Sequence, residues 1–240
     1  MRVRRQESLT QPFVLTSNDL NKLYANFQKW LNKISFEISS KDSLKREFST
    51  LEDLLSFENP PQKEIRSLLL SGFSHDPETS IIIIFEIASE RNILISIEGE
   101  EDAVMAINNS LEECLSGIKP WYYLLARINI YIASYIIVGT TIATFIIRSI
   151  TGRSAPSISQ VSELRSLLTG LSIGLSLALG PLVLGYVLNK IQQNVFPMGC
   201  FSIGQGAKRH KDKEIIRTVV ILGFFISLIS GIIITLIFAI

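Results

Sequence analysis

His75 and His210, Cys114 and Cys200, and the run Glu98, Glu100, Glu101 and Asp102 are the side chains whose types carry chemistry at the right spacing. A zinc site needs thiolates and imidazoles in close pairs. Neither histidine has a cysteine or carboxylate at ligand spacing, and the cysteines sit in different halves of the chain. An oxygen-ligand cation loop alternates its acids along a loop. These four instead crowd where a helix begins, and there negative charge favours the positive end of the helix dipole. No nucleophile elbow, P-loop or HExxH helix occurs. The chain is therefore expected to be no enzyme, to need no metal or cofactor, and to keep both thiols free.

The polar groups that can act lie elsewhere, inside apolar runs. Leu167 to Leu188 holds 22 residues without a charge, and a helix of that length spans roughly 33 Å, enough for a hydrocarbon core of about 30 Å. Ile128 to Ile147 and Thr218 to Ile240 behave alike, so transmembrane helices are expected over about 124–147, 167–188 and 218–240. Thr140 and Thr144 in the first span, and Thr169, Ser172 and Ser176 in the second, put hydroxyls where they either bond back to their own helix or line a wet path. Asn129 brings an amide that needs a partner or water, and it joins them as a pore-lining candidate. Gly170, Gly174 and Ala178, and Gly223, Ser227 and Gly231, form rows of small residues every four positions. Such rows let helix backbones pack closely, within one chain or between subunits. Pro181, after Gly180 in mid-span, is expected to kink the second helix.

Charge orients these spans. Residues 1–120 hold 13 Lys/Arg against 19 Asp/Glu, and residues 121–240 hold 10 against 3, although the total is only +1. An acidic first half argues against nucleic-acid binding through that whole surface. No secretory signal opens the chain, because Gln6 to Gln11 follows the first arginines where an apolar core belongs. The segment 189–217 carries six Lys/Arg and the segment 148–166 three. The more basic loop faces the cytoplasm, which places the N-terminal half inside, and the first loop and the C-terminus outside.

That N-terminal half must position whatever controls the spans. Residues 1–16 read as polar and frayed. Ser17-Asn-Asp19 caps a helix with Leu20, Leu23, Tyr24, Phe27 and Leu31 on one stripe. Ile34 to Ile38 alternates as a strand, and Ser49-Thr-Leu-Glu52 is a capping box for a short helix closed by Asn59-Pro-Pro61. Three strands follow: Ile65–Leu70, Ser80–Ile87 and Asn92–Glu98, the last two joined by a tight turn at Ser89-Glu-Arg91. The isoleucine run 81–84 suggests a central strand buried on both faces. Val104, Ile107, Leu111 and Leu115 then form the core stripe of a helix ending at Gly117. The expected fold class is an α+β domain over 1–118, with a largely antiparallel sheet, followed by an all-α membrane module of three helices over 119–240.

Trp121, Tyr122 and Tyr123 next to Pro120 read as membrane-interface anchors, as does Phe196. The segment Phe196-Pro-Met-Gly-Cys-Phe-Ser-Ile-Gly-Gln-Gly206 is expected to sit in the same interface. Lys208, Arg209, Lys211 and Lys213 follow it as candidate ligands for lipid head groups or another anion. Gly204-Gln-Gly206 before them offers the glycine spacing of a phosphate cradle.

With Phe196, Pro197, Gly199, Phe201, Gly204 and Gly206 in view, the whole-chain plan resembles small bacterial membrane effectors of antiphage defence, such as those of the Hailong type. That resemblance implies a cytosolic domain governing an oligomeric ion channel in the inner membrane. Three spans are too few to enclose a wide pore alone, so the expected function is a homo-oligomeric, cyclic channel gated by its cytosolic domain. The alternative is a membrane-anchored interaction or ligand-binding module without a pore. Expected partners are the lipid bilayer, further copies of the chain, and a cytosolic ligand or regulatory partner, with a nucleotide or oligonucleotide left open.

Overall fold

The computed structural model describes residues 1–75, 78–87, 91–151 and 160–238; within the long helices, side chains of several residues, including 160–169, 175–178 and 232–238, lie outside that description. Two compact units emerge from its contacts: Met1–Ala126 together with Val195–Ile240, and Arg127–Asn194. The expected boundary after residue 118 is not where the contacts divide the chain, for a reason given below.

The first unit is an α+β domain. Its sheet contains β1 (Arg2–Leu9), β3 (Lys33–Ser40), β4 (Lys45–Phe48), β5 (Ile65–His75), β6 (Glu78–Glu86) and β7 (Ile93–Glu100), in the order β1-β7-β6-β5-β3-β4 and antiparallel throughout. A separate short pair joins β2 (Phe13–Thr16) to β8 (Gly199–Ser202) in parallel. The helices α1 (Ser17–Phe27), α2 (Leu51–Ser56) and α3 (Glu101–Gly117) complete it.

Local sequence explains most of these elements. Alternation puts Ile81, Ile83 and Phe85 of β6 and Ile93, Ile95 and Ile97 of β7 on one buried face. The stripe Val104, Ile107, Leu111 and Leu115 of α3 is buried in the same core, as are Leu20, Leu23 and Phe27 of α1. Thr16, not Ser17, caps α1: its hydroxyl accepts from the Asp19 amide while the Asp19 carboxylate accepts from the Thr16 amide, a capping box. Thr50 likewise caps α2 through the Asp53 amide, one residue later than the expected box.

Two expectations for this half are corrected. Residues 1–16 are not frayed but supply β1 and β2. The arginines of β1 obscure it in the sequence, because they are held by ion pairs, Arg2 to Glu78 and Glu98 and Arg5 to Glu7 and Glu112, and not by burial. The isoleucine run is not buried on both faces: Ile81 and Ile83 are fully covered in the core they share with α1 and α3, but Ile82, on the opposite face, is 42% exposed. Of the turn at 89–91, Ser89 and Glu90 lie outside the described residues.

After α3 come the short α4 (Tyr123–Arg127) and three long helices, α5 (Ile130–Thr151), α6 (Gln160–Val195) and α7 (Gln205–Phe238). Three spans were expected. Among the described residues one helical stretch, Gln205–Gly231, is long and apolar enough to cross a membrane, and Ile130–Thr144 is a shorter apolar helix. The loop 152–159 and Ile240 lie outside the described residues.

Within the second unit α5 and α6 pack through glycine. A Cβ on Gly185 would meet the Tyr131 ring at 2.7 Å and Ser134 Oγ at 3.0 Å, and the Ser134 hydroxyl donates to the Pro181 carbonyl at 2.9 Å. Gln192 Nε2 donates to the Ile128 carbonyl at 2.9 Å, tying the ends of this hairpin.

Candidate functional site

The segment 196–206 is part of the domain. Phe13–Thr16 and Gly199–Ser202 pair residue for residue, and Phe201 and Ile203 are buried in the same core as Phe13 and Phe85. Phe13 packs its ring 5.5 Å from Phe201 and 5.4 Å from Phe85. Apolar rings at alternate positions are what a half-buried strand requires, and they serve it here in place of the expected membrane interface.

Two buried asparagines fasten this strand. Asn59, 1% exposed with φ +50°, donates from Nδ2 to the carbonyls of Phe201 and Ile203, both at 3.3 Å, and accepts from the Ile65 amide at 3.0 Å. Asn92 donates to the carbonyls of Gln11 and Met198 and accepts from the Gln11 amide. A buried amide with three partners fixes backbone that has no ladder of its own.

The glycines serve the same closure. Gly204 has φ +51°, and a Cβ there would meet the Glu58 carbonyl oxygen at 2.5 Å; a Cβ on Gly206 would meet the Phe201 carbonyl oxygen at 2.3 Å. Only a residue without Cβ fits either place. The amides that a phosphate cradle would offer are engaged: Gln205 N donates to Glu58 O at 2.7 Å and Gly206 N to Ile203 O at 2.8 Å. Of the four basic candidates, Arg209 turns back to the Asn59 carbonyl at 2.7 Å and lies 3.7 Å from Glu64, while Lys208 and Lys211 are exposed and Lys213 is half-buried.

Behind the strand lies the group that sequence reasoning missed. Arg217 is fully buried. Its Nε donates to the Val195 carbonyl at 2.5 Å and its Nη1 to Glu214 Oε2 at 2.6 Å, with His210 Nε2 at 3.4 Å. The guanidinium lies 4.3 Å over the Tyr122 ring. Tyr122 packs on Phe196 at 5.7 Å and on Trp121, whose indole N–H donates to the other oxygen of Glu214. Arg217 Nη2 and the Tyr122 hydroxyl are buried without a hydrogen-bond partner among the described residues. Burial pushes the Tyr122 phenol up to about 12, against the opposing pull of Arg217, and pushes the Cys200 thiol up as well. Tyr122 is thus a core residue, 1% exposed, while Trp121 and Tyr123 stay exposed. The signal for Arg217 in the sequence is its place as the last charge before an uncharged run to the C-terminus.

Three stretches of chain therefore meet at one cation: the entry to α4, the last residue of α6, and the first turns of α7. A buried arginine with bidentate capacity holds such a junction in one arrangement while its partners last.

The remaining candidates are placed as follows. Asn129 Oδ1 accepts from the amides of Tyr131 and Ile132 and so caps α5. Thr140 and Thr144 donate to carbonyls one turn earlier in α5, as does Thr141. Thr169, Ser172, Ser176 and Ala178 belong to α6, but their side chains lie outside the described residues. A Cβ built on Gly170, Gly174, Gly223 or Gly231 meets no described atom within 4 Å, and Ser227 is exposed. His75 stacks edge-on against Phe73 at 4.6 Å, Glu98 pairs with Arg2, and Glu100 stands at the N-cap of α3.

No protein-family model, curated protein or solved structure matches this chain.

Proposed function

We propose that this chain is one subunit of a homo-oligomeric channel in a bacterial inner membrane, opened or closed by its α+β domain. The observation that carries this reading is the Arg217 junction. It joins Tyr122, at the entry to α4, to the last residue of α6 and the first turns of α7, so a domain that changes shape must pull on those helix ends. Differential binding of a ligand or partner to two such arrangements would bias the pore.

Two further features support it. Large apolar side chains stand exposed along the long helices, among them Ile132, Ile136, Val183, Val219, Leu222 and Phe224, as lipid or neighbouring subunits would require. A Cβ on Gly170, Gly174 or Gly223 meets no described atom within 4 Å, while one on Gly185 would collide with Tyr131 and Ser134 of α5. The unfilled rows are then available to neighbouring copies. Membrane-crossing begins after Arg217, since the first turns of α7 belong to the domain. The defence role rests on the resemblance of plan alone.

The second reading is a membrane-anchored module with no pore. It is favoured by the threonines of α5, whose hydroxyls satisfy themselves within the helix and so offer no lining. Purified chain in detergent and in liposomes separates the two, by mass and by ion flux. A monomer that leaks no ions would overturn the channel. An assembled channel whose flux is unchanged by Arg217→Gln would overturn coupling through the junction. Deleting residues 1–118 is a poorer test, because it strips β8 and Ile203 of their core.

A further inference from the structure

The Arg217 junction places a histidine where the gain of one proton conflicts with the contact that holds it. Arg217 Nη1 donates to Glu214 Oε2 at 2.6 Å and has His210 Nε2 at 3.4 Å. A guanidinium carries donors only, so the imidazole nitrogen facing it is an acceptor. His210 therefore stands neutral in the closed junction, with its proton on Nδ1. Both oxygens of Glu214 are already engaged, one by Arg217 and the other by the Trp121 indole N–H. Arg217 cannot give up a proton to relieve the contact, and it is fully buried.

We infer that the junction is a proton-operated latch: a proton on His210 sets a donor and a second positive charge against Arg217, and so loosens its hold on the Val195 carbonyl at the end of α6. The surrounding groups leave His210 as the one that responds. On α7 these are Lys213, Glu214 and Arg217, with Lys211 and Asp212 exposed beside them. Tyr122 comes from the entry to α4 and Cys200 from β8, and near Cys200 lie Arg209 and Glu64, 3.7 Å apart. Burial pushes the Tyr122 phenol up to about 12 and raises the Cys200 thiol, so both keep their protons near neutral pH. Burial also raises the Glu214 carboxyl, but Trp121 and Arg217 together hold it below its ordinary value. Burial, and after it Arg217, hold His210 below its ordinary 6.5, against the pull of Glu214. The opened junction thus takes up the proton first. The closed arrangement is fully stable above about pH 6.5 and weakens as pH falls below it. This inference rests on Arg217 as the link between the domain and the helix ends, and it needs no pore.

The test uses the full chain in detergent, with hydrogen exchange over residues 195–217 followed at about pH 7.5 and about pH 5.5 and corrected for the intrinsic rate. Exchange there should quicken about tenfold at the lower pH. His210→Gln keeps an acceptor but takes up no proton, so its exchange should change less than about twofold; His210→Lys should exchange fast at both. No quickening in the parent chain, or quickening that survives His210→Gln, would overturn the inference. Where a variant fails to fold by circular dichroism, the imidazole resonance decides, because His210 is the only histidine left after His75→Gln. A titration midpoint below 6.5 that rises when Arg217→Gln is added is expected, and any other result would overturn the latch. Ion flux in liposomes reports the channel separately. Acid-quickened exchange without flux would leave the latch standing and remove the pore, and flux without acid-quickened exchange would do the reverse.

Discussion

Arg217 lies 4.3 Å above the ring of Tyr122, with neither side chain reached by solvent. A cation in such a place is stabilised by the ring, by the Val195 carbonyl and by Glu214, and each of these belongs to a different part of the junction. Replacing it with Met keeps the bulk but leaves the Val195 carbonyl and the Glu214 carboxylate without their donor. Arg217→Met should cost about 3 kcal/mol of stability, read as a lower midpoint of thermal unfolding in detergent. Arg217→Lys should recover less than half of that, because an ammonium cannot span both acceptors.

Tyr122 contributes its ring, and its hydroxyl contributes nothing that the described contacts show. Tyr122→Phe should therefore be neutral or stabilising by up to about 1 kcal/mol, whereas Tyr122→Ala should destabilise by about 3 kcal/mol or more. Chemical denaturation of the three proteins side by side checks both.

The same phenol gives a pH dependence. Its folded pKa of about 12 lies above the ordinary value of 10.0, so the unfolded chain releases the proton first. The stability it supplies is complete below pH 10 and is lost as pH rises toward 12. Tyr122→Phe should flatten the fall in unfolding midpoint between pH 10 and 12, and remove the last step of tyrosinate absorbance. An unchanged alkaline profile would show that the ring is not buried as described.

Closure of the domain by β8 is open to test at two points. Asn59→Ala removes three hydrogen bonds in a buried place and should cost about 3 kcal/mol. Gly206→Ala should cost about 2–3 kcal/mol by driving a methyl into the Phe201 carbonyl. In both variants limited proteolysis should cut between residues 196 and 206 before it cuts within β5 to β7.

The glycines of α6 should separate by role. Gly185→Leu collides with Tyr131 and Ser134 and should destabilise the α5–α6 hairpin itself. Gly174→Leu meets no described neighbour, so it should leave the subunit folded and instead lower the oligomer mass. A Gly174→Leu protein of unchanged mass would assign that row to no subunit contact.

The sequence by itself determined what depends on near neighbours. Local pattern marked the stripe of α3, the strands β6 and β7 though not which face of β6 is buried, the helix caps to within one residue, and the apolar runs, because each of these is a local match of side chains to backbone repeat. What only the tertiary structure decided depends on groups distant in the chain. Arg2 and Arg5 look like a polar tail until Glu78, Glu98 and Glu112 stand beside them. Phe201 looks like a membrane anchor until Leu15, far away in the chain, pairs with it across a strand and Phe13 packs on its ring. Gly204 and Gly206 resemble a phosphate cradle until Glu58 and Asn59 occupy their open side. Arg217 is one more loop charge in the sequence. Its burial follows only when residues 122, 195 and 214 converge, and desolvation and pairing are properties of that convergence, which no local pattern encodes.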